Sequence, residues 1–318
     1  MPAAVVIALG NVSGGLGFAI GVLPAAVIGV QPRLRDRRRT LFVGALFGAL
    51  LVIGSLVGHN DVVAVLAMFV LPVLAAQLAA RRAVGLVIMT IGLPLIAVGL
   101  SFTSFADGLG AGLSILLGSA FACALSCITW IWRERPEPPR PQPVLLASQH
   151  ALSYGISLGL AAGIATLLTE VAGIDHPGWA PAAALFVMRP SADMQRLRSV
   201  GRVLSVAIGA LAALALAHWQ PPDVLVGLAA IAALAAAGGT RGSRWYVTPV
   251  FSTFVVIMML LASDYTAAAA EWRFNERLGW TVVGVGLAYL FGLGLPNLAR
   301  RTGLGQFGAS RAPGSTPH

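Results

Sequence analysis

Apolar runs long enough to cross a bilayer follow one another along nearly the whole chain, with almost nothing charged inside them. A helix needs about 20 residues to span about 30 Å of hydrocarbon. Eleven such runs divide the sequence: about 3–30, 41–58, 62–80, 84–104 and 110–132, then 147–172, 177–189, 200–218, 223–238, 245–263 and 277–298. Backbone polar groups in lipid must be paired within the chain, so these runs predict helices. Charged residues occupy only 10% of the 318 positions, against about 25% in a soluble domain. The expectation is an all-α, polytopic membrane protein of about eleven transmembrane helices.

Charge placement turns the division into a topology. Every one of the 21 basic residues is arginine, and they cluster between the runs. If each run crosses, 19 of the 21 fall on one side, from the Arg33–Arg39 group to Arg311. Arg273 and Arg277 fall opposite, among Asp61, Asp107, Asp175, Asp223, Asp264, Glu271 and Glu276. The positive-inside rule then puts the N-terminus outside and the C-terminus in the cytoplasm of a cytoplasmic (inner) membrane. A net charge of +9 otherwise suggests nucleic acid, but there is no basic stripe or tail, so the lipid bilayer is the expected partner and nucleic acid is not. The first 32 residues lack a basic side chain, so no secretory signal is read, and the opening run is expected to stay as a helix. Cys123 and Cys127 share a helical face as packing residues.

The Pro- and Arg-rich stretch 134–145 reads as an extended cytoplasmic linker. It separates a first membrane repeat, 1–133, with about five helices, from a second, 146–302, with about six; 303–318 reads as a disordered cytoplasmic tail. GFAIGVLPAAVIGVQP, an arginine cluster and a Gly-rich run in the first half match GWAPAAALFVMRP, an arginine cluster and VLSVAIGALAALAL in the second. RRAVGLVIMTIGLPLIAVGL similarly pairs with RGSRWYVTPVFSTFVVIMML. Both members start on the same side, which predicts parallel, same-orientation repeats. The first element of each is broken. Gly178–Met188 would be only about 16 Å long as a helix, with Pro181 inside it and Pro190 after it. Its counterpart carries four glycines before Pro24. Interrupted segments at matching places point to a midplane transport site, which makes Pro24 and Pro181 pathway candidates; a tightly packed kinked pair is the competing reading.

Trp179-Ala180-Pro181, then Arg189-Pro190, then Arg202 leading to Gly209, resembles the signature of the fusaric acid resistance protein-like (aromatic acid exporter) family. Arg244-Trp245-Tyr246 with Phe251-Ser252-Thr253, and Glu276-Arg277-Leu278 before Thr281 and Gly284, look like that family's last two helices. The resemblance covers about 147–300, and the first half fits as a degenerate copy. It implies efflux of aromatic or other organic acids, sometimes beside a periplasmic adaptor. Many relatives carry a soluble cytoplasmic domain, whereas this chain has only the short linker.

Individual residues admit two readings each. Arg189 and Arg202 could hold a carboxylate through paired hydrogen bonds, or act only as positive-inside anchors. Glu276 and Arg277 could gate the outer mouth, or form a solvated interfacial pair. Glu170, near Asp175 and His176, is the proton-carrier candidate for a proton-coupled exporter, against a snorkelling acid. Trp179, Trp219, Trp245, Trp272 and Trp280 fit an interfacial belt, although Trp179 or Trp245 could stack an aromatic solute. Thr248, Ser252 and Thr253 could line a polar path or bond between helices. His150 and His218 have no partners at ligand spacing, so no metal is expected. Nor is a cofactor or enzymatic activity, since paired carboxylates, a nucleophile elbow and a nucleotide loop are all missing. The function expected is proton-coupled export of a small organic anion, with a homo-oligomer and an adaptor left open. The alternatives are a major-facilitator-type transporter, which Arg33–Arg39 faintly resembles, or a non-transporting scaffold.

Overall fold

The computed structural model describes residues 29–102, 104–128, 145–240, 247–261 and 266–295, with a few positions before 26. Residues 134–144 of the linker, the tail 303–318, Trp245 and most of the first apolar run lie outside the described residues. Among those described, all regular structure is helical. The helices are α1 (Arg39–Val57), α2 (Asp61–Arg81), α3 (Ala83–Gly99), α4 (Phe105–Ser126), α5 (Ser148–Val171), α6 (Trp179–Val187), α7 (Ala192–Trp219), α8 (Asp223–Gly239), α9 (Thr248–Leu260) and α10 (Ala267–Tyr289). Each run from 41–58 onward therefore holds a helix.

Starts are written locally. Asn60, Ser104, Ser191 and Thr266 each accept a backbone N–H three residues on, so α2, α4, α7 and α10 begin with a side-chain cap. Six described helices are long and apolar enough to cross a membrane: α1 with its lead-in from Leu34, α2, α4, α5, α7, and α10 extended to Gly294. The stretches Ala83–Gly99, Val224–Gly239 and Thr248–Leu260 are shorter, and α6 is shortest, with nine residues.

Two helices widen into π turns, at Ile88–Gly92 inside α3 and Leu290–Gly294 after α10. Both turns end in the same tripeptide, Gly92-Leu93-Pro94 and Gly294-Leu295-Pro296. Proline has no N–H for the carbonyl four residues back, and its ring presses on that carbonyl. In α3 that carbonyl belongs to Thr90, within the turn, and widening relieves the crowding.

Large apolar side chains cover the outside, with Phe42, Leu66, Leu117 and Ile208 each more than half exposed. A surface of this kind suits lipid rather than water. The main core gathers Met68, Leu93, Leu158, Leu185 and Met188 from α2, α3, α5 and α6. A second cluster joins α7, α8 and α9 through Ala210, Val226, Ile257 and Met258. Small residues set the spacing. A Cβ on Gly159 of α5 would strike the Phe69 carbonyl of α2, and one on Gly284 of α10 would strike the Ala180 carbonyl of α6.

Gly159→Leu is expected to cost about 1–3 kcal/mol through overpacking of the α2–α5 contact, measured as a lower thermal midpoint of the purified protein. Gly286→Ala, where nothing lies within 4 Å of an added Cβ, is expected to leave the midpoint unchanged or slightly raised.

Candidate functional site

The site is built around α6. Its nine residues extend about 14 Å, and all but Phe186 are buried. Four alanines make that burial sterically easy, since backbones can approach an Ala-rich helix from every side. Both ends therefore lie inside protein, where unpaired backbone groups are costly. At the last turn, Arg189 Nη1 donates to the Leu185 and Met188 carbonyls at 3.2 and 2.7 Å. The Tyr154 hydroxyl donates to Met188 at 3.2 Å, and Arg198 Nη1 to Phe186 at 3.4 Å. At the first turn, the Gly178 N–H donates to Ser101 Oγ at 3.1 Å, and the His176 N–H to Glu276 Oε1 at 3.1 Å. Acid at the start and guanidinium at the end both oppose the helix dipole.

Beyond the start of α6 lies an ion-pair network. Arg273 Nη1 stands 2.7 Å from Asp175 Oδ2, 3.1 Å from Glu276 Oε2 and 3.3 Å from His176 Nδ1. His176 Nδ1 is also 3.2 Å from Glu276 Oε2. A bare Nδ1 accepts from Arg273, whereas an Nδ1 that carries hydrogen donates to Glu276, so the tautomer decides which partner the imidazole serves. Asp175, His176 and Glu276 could together ligate a cation, but the Arg273 guanidinium already bridges all three. The hydrogen bond from Arg273 holds the Asp175 carboxyl below its ordinary 3.8.

A polar seam runs inward from this network between α6, α7 and α10. Gln195, Ser199, Arg202 and Ser205 recur at helical spacing on one buried face of α7. Arg277 and Thr281 come from α10, which runs antiparallel to α7, as Gln195 Nε2 donating to the Ala288 carbonyl at 2.6 Å shows. Arg202 and Arg277 each sit ten residues, about 15 Å, inside their helices. Each is only 7% exposed. Neither forms an ion pair or hydrogen bond among the described residues, and the Nε of each is buried without an acceptor. Aromatic rings meet them instead. The Arg202 guanidinium carbon lies 4.8 Å from the Phe186 centroid and that of Arg277 4.7 Å from Trp179. Trp179 in turn stacks on His176 at 4.6 Å.

The structure thus brings together Trp179, Pro181, Arg202, Glu276 and Arg277, with Arg189 at the far end of α6. Two expectations change. Glu276 and Arg277 are not a solvated interfacial pair, because both are buried and each turns to a different α6 neighbour. Trp179, 3% exposed, is not a belt residue, whereas Trp219 and Trp272 are more than half exposed. Other candidates stand apart. Glu170 is half-buried on the α2–α5 side, within Coulombic range of Asp61, and its Oε1 is buried without a partner. Thr253 packs against Gly209, Thr248 is half-buried at the start of α9, and Pro24 is buried in the first half. Sequence reasoning missed Arg273 as a bridge, and Gln195, Tyr154 and Arg198. The first polar stripe is visible as the 195, 199, 202 spacing, but the helix-capping roles depend on where α6 ends.

Residues 162–294 match the sequence model of the fusaric acid resistance protein-like family. That stretch contains every side chain of the seam. No curated protein and no solved structure matches the chain.

Glu276→Ala is expected to destabilise the protein by about 1–3 kcal/mol, since it leaves the part-buried His176 N–H without its acceptor. Asp175→Asn, at an exposed carboxylate, is expected to cost under about 1 kcal/mol at neutral pH. A lowered folded-state pKa contributes stability above the ordinary carboxylate range and loses it as pH falls through the lowered value. Unfolding scans of wild type and Asp175→Asn are therefore expected to converge on acidification.

Proposed function

We propose that this chain exports small organic anions, aromatic carboxylates among them, across the cytoplasmic membrane. The observation that carries the reading is the pair of buried guanidiniums, Arg202 and Arg277, neither of which forms an ion pair or hydrogen bond among the described residues. A buried charge without a partner costs several kcal/mol, so a visiting carboxylate would relieve it, and a guanidinium fork suits that group. Phe186, only half-buried, lies beside Arg202 and can meet an aromatic body, while Trp179 holds Arg277 in place. The family match over 162–294 supports a transport-related membrane protein.

In this reading the Arg189 end of α6 faces the cytoplasm and the Asp175 end faces outward, following the arginine distribution. At the seam's outer end His176 and Glu276 meet, and the imidazole can turn between Arg273 and Glu276 with its tautomer. The two halves are parallel repeats. In support, α1 packs against α4 and α3 as α7 packs against α10 and α9.

Inverted vesicles are expected to accumulate labelled benzoate or 1-naphthoate under an imposed proton gradient, with Arg202→Ala lowering the initial rate about tenfold or more, about 1.4 kcal/mol. Accumulation by neither protein, at any gradient, sinks the exporter. Equal rates in both return Arg202 to a packing and orientation role.

A further inference from the structure

A chamber of about 720 Å³ opens at the Arg189 end of α6, between α3, α5 and the turn after α10. Its size falls in the usual range for small-molecule sites, about 300–1,000 Å³. One wall is polar, with Ser153, Tyr154 and Ser157 from α5 beside Arg189. The opposite wall is apolar, with Leu86, Met89 and Phe291. No acidic side chain is among the lining residues, so Arg189 leaves the chamber positive. Both π turns border it, Ile88–Gly92 through Met89 and Leu290–Gly294 through Phe291. Irregular backbone at this depth is tolerated where it lines a cavity or is packed in protein.

The chamber is also a near neighbour of the seam. Gly292 lines it, and a Cβ at Gly292 would press on the Gln195 carboxamide. Gln195 heads the polar face of α7 that leads to Arg202, and its Oε1 is buried with no donor. Gly292 is therefore common to the chamber lining and to the inner end of the seam.

We propose that this chamber is a second binding site, for a small amphipathic organic carboxylate, distinct from the Arg202–Arg277 seam. The carboxylate meets Arg189 and the α5 hydroxyls, and the apolar body lies against Met89 and Phe291. Its place as a loading site rests on the transport reading; the binding itself does not.

Equilibrium binding of labelled 1-naphthoate to the full chain in zwitterionic nanodiscs tests it. Wild type is expected to bind at two sites. Ser157→Trp, which fills the chamber, is expected to remove one, and Arg202→Gln the other. Ser153→Phe repeats the first arm at a more exposed position, in case Ser157→Trp does not fold. The proposal is overturned if folded Ser157→Trp and Ser153→Phe bind as much naphthoate as wild type, the result expected if lipid occupies the chamber. It is equally overturned if no naphthoate binds, or if a single wild-type site disappears in Arg202→Gln. Two sites persisting where vesicles accumulate nothing would keep the chamber and remove the exporter.

Discussion

A nine-residue helix with both ends inside protein is the constraint on which the rest of the arrangement depends. A helix that crosses the bilayer can leave its terminal N–H and C=O groups to water or headgroups. The ends of α6 have neither, so neighbouring helices supply the partners. Ser101 and Glu276 serve the start, while Tyr154, Arg189 and Arg198 serve the end. Those partners come from the α3–α4 connection, α5, α7 and α10, so satisfying one short helix fixes how four neighbours stand around it. The charges that a membrane interior normally excludes are admitted here because backbone carbonyls and N–H groups receive them.

Arg202 and Arg277 differ from those capping residues. Rings approach them, and cation–π attraction contributes up to about 2 kcal/mol each in a desolvated setting. The cost of holding an unpaired charge at depth exceeds that by several kcal/mol. The second half therefore carries an electrostatic imbalance, and its closest acid, Glu276, is already committed to His176 and Arg273.

Much of the architecture was legible in the chain. Run length and apolar character predicted each described helix from α1 onward, and the start of α6 was marked by Pro177-Gly178-Trp179 and its end by Arg189-Pro190. Burial was harder to read. Trp179 has the composition of an interfacial anchor, and Glu276-Arg277 that of a solvated pair. Only the approach of α6 to α10, permitted by Gly284 against Ala180, takes both from the surface. Arg198 and Tyr154 could not be assigned before the last carbonyls of α6 were located. The π turns were written in Gly-Leu-Pro, yet the tripeptide alone does not say that both turns border one chamber.

The isolation of α6 from lipid has a consequence for how the molecule responds to its membrane. Hydrophobic mismatch acts on surfaces that touch acyl chains, and it is accommodated by tilting or by local changes in bilayer thickness. α7, with 28 residues, and the lipid-exposed faces of α1, α2 and α4 are subject to it. α6 is shielded from it, because α3, α5, α7 and α10 and their capping bonds surround it. A thicker or thinner bilayer can reach the two central guanidiniums only by changing the inclination of α7 and α10 around a fixed post.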